Sequence, residues 1–188
     1  MDAREMLRNA QKILLDGKYH ESINAFTESI EAGGNTKIAF LSRGVAYLKD
    51  EQFDKAIEDF GIVLAMNSTN IRAHFYRGIA YMAKNEFEIA IKDFNRTIEL
   101  KPSYWAAYFA RGSAYAQIGN EYEAAKNIKT AIIFSQTNMQ GCADAIGIFR
   151  PQFDKALAIM ADMDKAPSIL LTEEEICTVR KWLDEKNQ

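Results

Sequence analysis

Three closely similar pentapeptides give the first indication of the fold class: RGVAY at Arg43–Tyr47, RGIAY at Arg77–Tyr81 and RGSAY at Arg111–Tyr115. The three pentapeptides are equally spaced along the chain. A motif that recurs at a constant step of about 20 to 50 residues is typical of proteins built from stacked structural repeats. We therefore expect the chain to be an array of similar units, each too small to fold alone.

Each period contains the pattern of two helices. In the period 37–70, apolar residues recur at steps of three and four, first from Phe40 to Leu48 and again from Phe53 to Leu64. This spacing places the apolar residues of each stretch on one face of a helix. A polar turn separates the two stretches. At the same place, three other periods carry Gly17, Asn85 and Gly119. Glycine and asparagine commonly end a helix in the left-handed conformation.

Small residues also recur in register. The first stretches carry Gly44, Gly78 and Gly112, although glycine inside a helix costs about 1 kcal/mol relative to alanine. We interpret these glycines as points where two helices approach closely, each facing a small residue of the second stretch and surrounded by large aromatic or aliphatic residues. The facing small residues are Ala56, Ala90 and Ala124, and the large ones include Phe60, Phe94 and Ile128.

This arrangement of Gly, Tyr, Ala, Phe and Pro within one period resembles the tetratricopeptide repeat family, most strongly from Ala3 to Phe134. The resemblance implies an all-α fold, a right-handed α-α superhelix (solenoid) of helical hairpins. Four repeats are predicted within 1–136, at about 3–36, 37–70, 71–104 and 105–136. In the fourth repeat Tyr122 stands one residue late, which predicts a small irregularity at the start of its second helix.

The C-terminal third continues the pattern in weaker form. QFDKA occurs at Gln52–Ala56 and again at Gln152–Ala156. We therefore expect a degenerate fifth hairpin over 137–165. A last amphipathic helix over 166–188 is predicted to cap the array, because a terminal repeat needs its apolar face covered. The alternative is that this helix lies in the groove of its own or a neighbouring molecule, which would allow self-association.

Composition restricts the class of protein. The net charge is −3 and the isoelectric point is near 5.5, which argues against a nucleic-acid-binding surface. The apolar runs are too short to cross a membrane, so no membrane insertion is expected. The N-terminal stretch lacks the pattern of a secretory signal, and only Cys142 and Cys177 are present. These features predict a cytoplasmic protein.

The sequence contains no pattern of catalytic or metal-binding residues. The only two histidines, His20 and His74, lack the spacing of metal ligands, and neither has a cysteine nearby. No glycine-rich phosphate loop is present. We therefore predict that the protein is not an enzyme and needs neither a cofactor nor a metal ion.

Arg43, Arg77 and Arg111 recur in register, and so do Asp59 and Asp93. Because charge is seldom buried without a partner, we expect ion pairs between neighbouring repeats, for instance Arg77 with Asp59 and Arg111 with Asp93. The alternative is that the three arginines form a ladder that binds anions.

In this family the first helices line the concave side of the superhelix. The resemblance therefore implies a binding groove formed by apolar residues of the second to fourth repeats. Some of these side chains are equally expected to pack between repeats. The predicted groove consists of Leu41, Val45, Leu48, Phe75, Tyr76, Ile79, Met82 and Phe109.

The family's best-known site is a clamp of basic and amide residues that grips the acidic tail of heat-shock chaperones. The matching positions here are Leu7, Gln11, Ser42, Arg72 and Tyr76, and only Arg72 keeps a suitable charge. We therefore expect a different ligand. The prediction is a scaffold or adaptor that binds a peptide or amphipathic helix of a partner protein. The alternative is a small cytoplasmic chaperone for secreted or assembled subunits.

Overall fold

All regular structure in the described part of the chain is helical. The computed structural model describes residues 2–135 together with Glu174 and Cys177. Within 2–135 there are eight helices of 13 to 15 residues and no strand. They are α1 (Ala3–Leu15), α2 (Tyr19–Glu31), α3 (Thr36–Lys49), α4 (Phe53–Met66), α5 (Ile71–Ala83), α6 (Phe87–Leu100), α7 (Trp105–Gln117) and α8 (Glu121–Ser135).

The helices belong to two compact units, which divide between Lys84 and Asn85. In the first unit, helices α1 to α5 pack against each other in chain order, and α3 also contacts α1 and α5. In the second unit, α6 packs against α7 and α7 against α8. The predicted fold class, an all-α fold of helical hairpins, is therefore confirmed. Each predicted repeat interval holds two helices, but the division into repeats stays a prediction.

The turn inside each helix pair has the predicted left-handed residue. Gly17, Asn85 and Gly119 have φ values of 76°, 61° and 78°. In the first turn, Lys18 N donates to Ile13 O at 3.2 Å and Gly17 N donates to Leu14 O at 3.1 Å. These are the two bonds of a Schellman motif, which satisfies carbonyl groups at the end of the helix. The fourth member of the set, Glu51, was not predicted from the sequence, and its φ is 59°.

Large side chains of the second helices fill the interior at the repeat spacing. Phe26, Phe60, Phe94 and Ile128 have no exposed surface. Gly44 has the ring of Phe60 as its nearest neighbour, where Ala56 was predicted, whereas Gly112 lies against both Ile128 and its predicted partner Ala124. A Cβ atom added to Gly44 would lie 2.6 Å from Cε1 of Phe60. One added to Gly112 would lie 2.9 Å from Cγ1 of Ile128 and 3.0 Å from the carbonyl oxygen of Ala124.

The predicted irregularity in the fourth repeat does not change where α8 begins. The second helices of the four pairs begin at Tyr19, Phe53, Phe87 and Glu121, which are equally spaced along the chain. Tyr122 is instead displaced from the interior, with 59% of its surface exposed. The predicted fifth hairpin and most of the predicted capping helix lie outside the described residues. Glu174 and Cys177 are helical and exposed.

The contact between Gly44 and Phe60 predicts opposite effects for two Gly→Ala substitutions in one hairpin. Gly44→Ala should destabilise the protein by about 1–3 kcal/mol, because the buried Phe60 ring has no room to move away from the new methyl group. Gly61→Ala should stabilise it by about 0.5–1 kcal/mol, since Gly61 lies inside α4 with open space around it. Urea denaturation of both variants checks the prediction, and equal effects would contradict it.

The left-handed conformation of Glu51 predicts a stabilising substitution. Residues other than glycine are strained at positive φ by about 1–2 kcal/mol, so Glu51→Gly should raise the free energy of unfolding by about 1 kcal/mol. Gly17→Ala is the reverse change at the equivalent turn, and it should lower stability by a similar amount although nothing lies within 4 Å of the added methyl group. Thermal unfolding of the two variants measures both effects. A lower midpoint for Glu51→Gly would show that the Glu51 side chain outweighs the strain.

Candidate functional site

The structure separates the eight predicted groove residues into two groups. Three remain partly exposed: Leu41, Val45 and Tyr76. The other five are at most 2% exposed and belong to the packed interior: Leu48, Phe75, Ile79, Met82 and Phe109. In this conformation a ligand can reach the first group only. Whether any of the eight binds a partner stays a prediction.

The accessible residues of α3 form one stripe. Leu41 packs at its edge against a cluster of Val63, Leu64 and Ala73, so its side chain is held in place while part of it faces outward. Val45 stands one helical turn further along and is also partly exposed. Ile38, which was not among the predicted groove residues, precedes Leu41 by three residues and is 42% exposed. Its position on the helical period could have identified it.

Tyr76 is fixed by two aromatic neighbours. Its ring is stacked with that of Phe60, with 6.0 Å between centroids and 22° between planes. The ring of Phe75 meets it edge-on at 5.5 Å. Because Phe60 also packs against Gly44, Tyr76 continues a column of contacts that begins in α3. The orientation of Tyr76 is therefore set by the core of the first unit.

Arg43 forms an ion pair with Asp59, the residue for which Arg77 was the expected partner. Its Nε and Nη2 atoms donate to the two carboxylate oxygens of Asp59, each at 2.8 Å. The predicted pair of Asp59 with Arg77 is therefore wrong. Arg43 and Asp59 belong to the same hairpin, on its first and second helix respectively. Arg43 reaches the preceding hairpin through a neutral group, since Nη1 donates to Thr27 Oγ1 at 3.0 Å.

The surroundings of this ion pair are aromatic and mostly dry. The guanidinium carbon of Arg43 lies 5.1 Å from the ring centre of Phe40 and 5.7 Å from that of Tyr47. The side chain of Asp59 is 4% exposed. Burial raises the pKa of the Asp59 carboxyl, and the hydrogen bonds from Arg43 offset part of that rise. The same bonds raise the pKa of the Arg43 guanidinium.

The hairpin of α7 and α8 has the same architecture with neutral partners. Arg111 Nε donates to Asn127 Oδ1 at 2.8 Å, and Arg111 Nη1 donates to Asn95 Oδ1 at 2.5 Å. The predicted pair of Arg111 with Asp93 is therefore wrong. Asn127 stands two periods after Asp59, and Asn95 stands two periods after Thr27. Thr27, Asn95 and Asn127 were missed at the sequence level, although the repeat period would have placed them beside the arginines.

Neither a metal centre nor a membrane-spanning helix is found in the part of the chain that the structure describes. Within it, no three His, Cys, Asp or Glu side chains are grouped so that they could hold a metal ion. Each described helix is too short or too polar to cross a bilayer. The described residues offer an apolar stripe and half-buried arginine clusters on a framework of helical hairpins.

Comparison with known proteins identifies the hairpins. Residues 16–70 and 71–104 match models of the tetratricopeptide repeat. Residues 16–104 therefore carry tetratricopeptide repeats, as the sequence pattern predicted. A curated relative, the tetratricopeptide repeat and J domain-containing co-chaperone DNJ1 of Cryptococcus neoformans, is 29% identical over 72 residues. That match covers 38% of this chain but only 14% of the relative.

Solved structures share the fold at low sequence identity. MamA of Desulfovibrio magneticus RS-1, from residue 41 to its end, aligns with a TM-score of 0.73 at 15% identity, covering 100% of this chain and 99% of its own. YrrB, a tetratricopeptide repeat protein with an unusual peptide-binding site, aligns with a TM-score of 0.65 at 20% identity, covering 79% of this chain and 74% of its own. At these identities the likeness shows the fold alone.

The buried ion pair predicts that the effect of removing Arg43 depends on pH. Arg43→Met leaves the Asp59 carboxylate buried without its counter-ion, which costs about 3–5 kcal/mol near neutral pH. The substitution also removes the bonds that oppose the burial effect, so the pKa of Asp59 in the folded variant rises further above its ordinary value of 3.8. An acid whose pKa is raised on folding favours the folded state below its unfolded pKa, and this contribution is lost as the pH rises through the folded pKa. Arg43→Met should therefore be least stable at alkaline pH and recover on acidification.

The measurement is urea denaturation of the wild type and Arg43→Met at about pH 8 and pH 5. The control is the double variant Arg43→Met/Asp59→Asn, in which the titrating group is gone and the recovery should disappear. A deficit in Arg43→Met that is the same at both pH values would mean that Asp59 reaches solvent when Arg43 is removed.

Proposed function

We propose that this protein is a non-enzymatic adaptor that binds a peptide or amphipathic helix of a partner protein against the first helices of its repeats. The observation that carries the proposal is the apolar stripe of Ile38, Leu41 and Val45 along one side of α3. Residues spaced by three and four lie on one helical face, and an apolar face of this kind accepts the apolar face of a partner helix.

Packing supports the proposal because it restricts the motion of side chains in the stripe. Leu41 lies against buried side chains of α4 and α5, so little side-chain entropy remains to be lost on binding. Tyr76, held between Phe60 and Phe75, offers a preformed aromatic edge. The five buried residues of the predicted groove remain in the proposal, but a partner would reach them only if the packed interior opened locally. They are Leu48, Phe75, Ile79, Met82 and Phe109. The peptide-binding site of YrrB is consistent with this function but belongs to that protein.

The same proposal holds that the protein has no catalytic activity, needs neither a cofactor nor a metal ion, and is located in the cytoplasm. Two charged side chains of the described hairpins support the lack of catalysis, because they are used in structural contacts. Arg43 is bonded to Asp59 and Thr27, and the exposed Lys84 is paired with Asp54 at 2.7 Å. Side chains committed to such pairs are poorly placed to act on a substrate.

A small chaperone is the second candidate, favoured by the curated relative that is named as a co-chaperone. A chaperone holds many unrelated apolar segments, whereas an adaptor selects one. The two functions therefore differ in how specifically the stripe binds, and a test for the suppression of aggregation of an unrelated denatured protein distinguishes them. Protection at a ratio near one to one would favour the chaperone.

The adaptor proposal predicts that selected peptides depend on Val45. Peptides selected from a random displayed library on the intact chain should be amphipathic and apolar on one side. Val45→Glu should weaken their binding by at least about tenfold, since it places a charge in the apolar contact. Fluorescence anisotropy with the labelled peptides measures the dissociation constants.

The matched control is Ile62→Glu, which introduces the same charge at a partly exposed isoleucine of α4. It should leave peptide binding unchanged. Peptides that bind Val45→Glu as tightly as the wild type would remove α3 from the binding site. Weakened binding to both variants would point to a general effect of charge or stability, which the unfolding midpoints of the variants would show.

A further inference from the structure

The two arginine clusters differ in charge although their architecture is the same. In the hairpin of α3 and α4, Arg43 bonds to a carboxylate and a hydroxyl group, from Asp59 and Thr27. In the hairpin of α7 and α8, Arg111 bonds to two amide oxygens, from Asn127 and Asn95. One cluster is therefore neutral overall, and the other keeps the full positive charge of its guanidinium group.

The substitution of an amide for a carboxylate also leaves one donor of Arg111 unused. Asp59 accepts with both oxygens, from Nε and Nη2 of Arg43. Asn127 has a single oxygen, which accepts from Nε of Arg111. Its nitrogen atom points elsewhere, donating to the backbone oxygen of Glu123 at 2.8 Å. Among the described residues, nothing accepts a hydrogen bond from Nη2 of Arg111.

The carboxylate of Glu123, which lies beside this cluster, contacts Asn127 and Lys126. Glu123 Oε2 accepts a hydrogen bond of 3.3 Å from Asn127 Nδ2, and its Oε1 lies 3.4 Å from Lys126 Nζ. Glu123 therefore reaches Arg111 only through the intervening amide. No ion pair to Arg111 occurs within the described part of the chain.

The guanidinium group of Arg111 is held by its neighbours and remains partly accessible. Asn127 is 2% exposed and holds Nε from the interior, while Arg111 itself is only partly buried. The ring of Tyr108 lies 5.4 Å from the guanidinium carbon, and Phe134 supports that ring at 5.6 Å. These neighbours restrict where the guanidinium group can lie, and the N–H groups of Nη2 remain unused within the described residues. A fixed, partly dehydrated guanidinium with free donors is suited to bind an oxyanion.

We propose that Arg111 is a binding site for a carboxylate group, supplied by an acidic side chain of a partner protein, with Asn95 and Asn127 as positioning residues. A carboxylate is the group that the chain itself places on the equivalent Arg43. Here the incoming carboxylate takes Nη2 and the second N–H of Nη1, since Nε is occupied. The partner assignment rests on the proposed adaptor function, whereas the anion site itself does not.

The test uses the intact protein and small anions, so its outcome is independent of any partner. Nitrogen-15 NMR resolves arginine Nε–H groups, and Arg111→Lys assigns the signal of Arg111. Acetate added at constant ionic strength against chloride should shift the Arg111 signal in a saturable way. The Arg43 signal should not respond, because its donors are already bound to Asp59.

The decisive variant is Asn127→Asp, which places in the second unit the carboxylate that Asp59 provides in the first. We expect the response of Arg111 to acetate to weaken by at least about tenfold, because the internal carboxylate now occupies the guanidinium. If this variant folds poorly, the comparison of Arg111 with Arg43 in the wild type still decides the matter.

Two results would overturn the proposal. An Arg111 signal that responds to neither acetate nor phosphate, or responds no more than that of Arg43, would show that the site binds no anion. A saturable response to phosphate without one to acetate would replace the carboxylate by a phosphate group and so refute the assignment to acidic side chains. Peptides that bind through Val45 while Arg111 stays silent would leave the adaptor function intact and remove only the anion site.

Discussion

The fold depends on the contact between a glycine of one helix and a large side chain of the next. Phe60 has no exposed surface, and its ring occupies the space that a side chain at position 44 would need. Ile128 occupies the equivalent space at Gly112. Because a helical hairpin of this size cannot bury its apolar face alone, the distance between its helices has to be set accurately before a second hairpin can pack against it. The glycine sets that distance, at the cost of about 1 kcal/mol of helix propensity.

The arginine clusters add a second constraint to this apolar packing. Arg43 joins three helices, since it lies on α3 and bonds to Asp59 of α4 and Thr27 of α2. Hydrogen bonds of fixed geometry align the hairpins in register, whereas apolar contacts alone tolerate sliding. The second unit keeps the same three-helix bridge from Arg111 to Asn127 and Asn95. The bridge thus has the same geometry in both units but a different charge. The structural role of the arginine is common to both units, whereas the capacity to bind an anion is proposed for Arg111 alone.

The accessible surface relevant to binding is smaller than the apolar composition of the first helices suggests. Most of those apolar residues are in the interior. The accessible apolar part of α3 is one stripe, and its Leu41 packs against buried side chains of α4 and α5. A narrow, preorganised surface favours selective binding over broad capture of unfolded chains, because it matches few segments well. We therefore propose an adaptor before a chaperone.

The repeat, the helical hairpins and their turns could be predicted from the sequence, because they follow from spacing along the chain. A constant period, glycine or asparagine at the turns and apolar steps of three and four are all local properties. Which residues meet across the helices could not be predicted in this way. Tertiary packing placed the Phe60 ring nearest to Gly44, and it paired Asp59 with Arg43 of its own hairpin in place of Arg77 of the next one. It also divided the predicted groove into buried Phe75 and Ile79 and accessible Leu41 and Val45. Apolar residues on a first helix have the same period whether they face a neighbouring helix or the solvent, so their exposure depends on how the helices cross and stack.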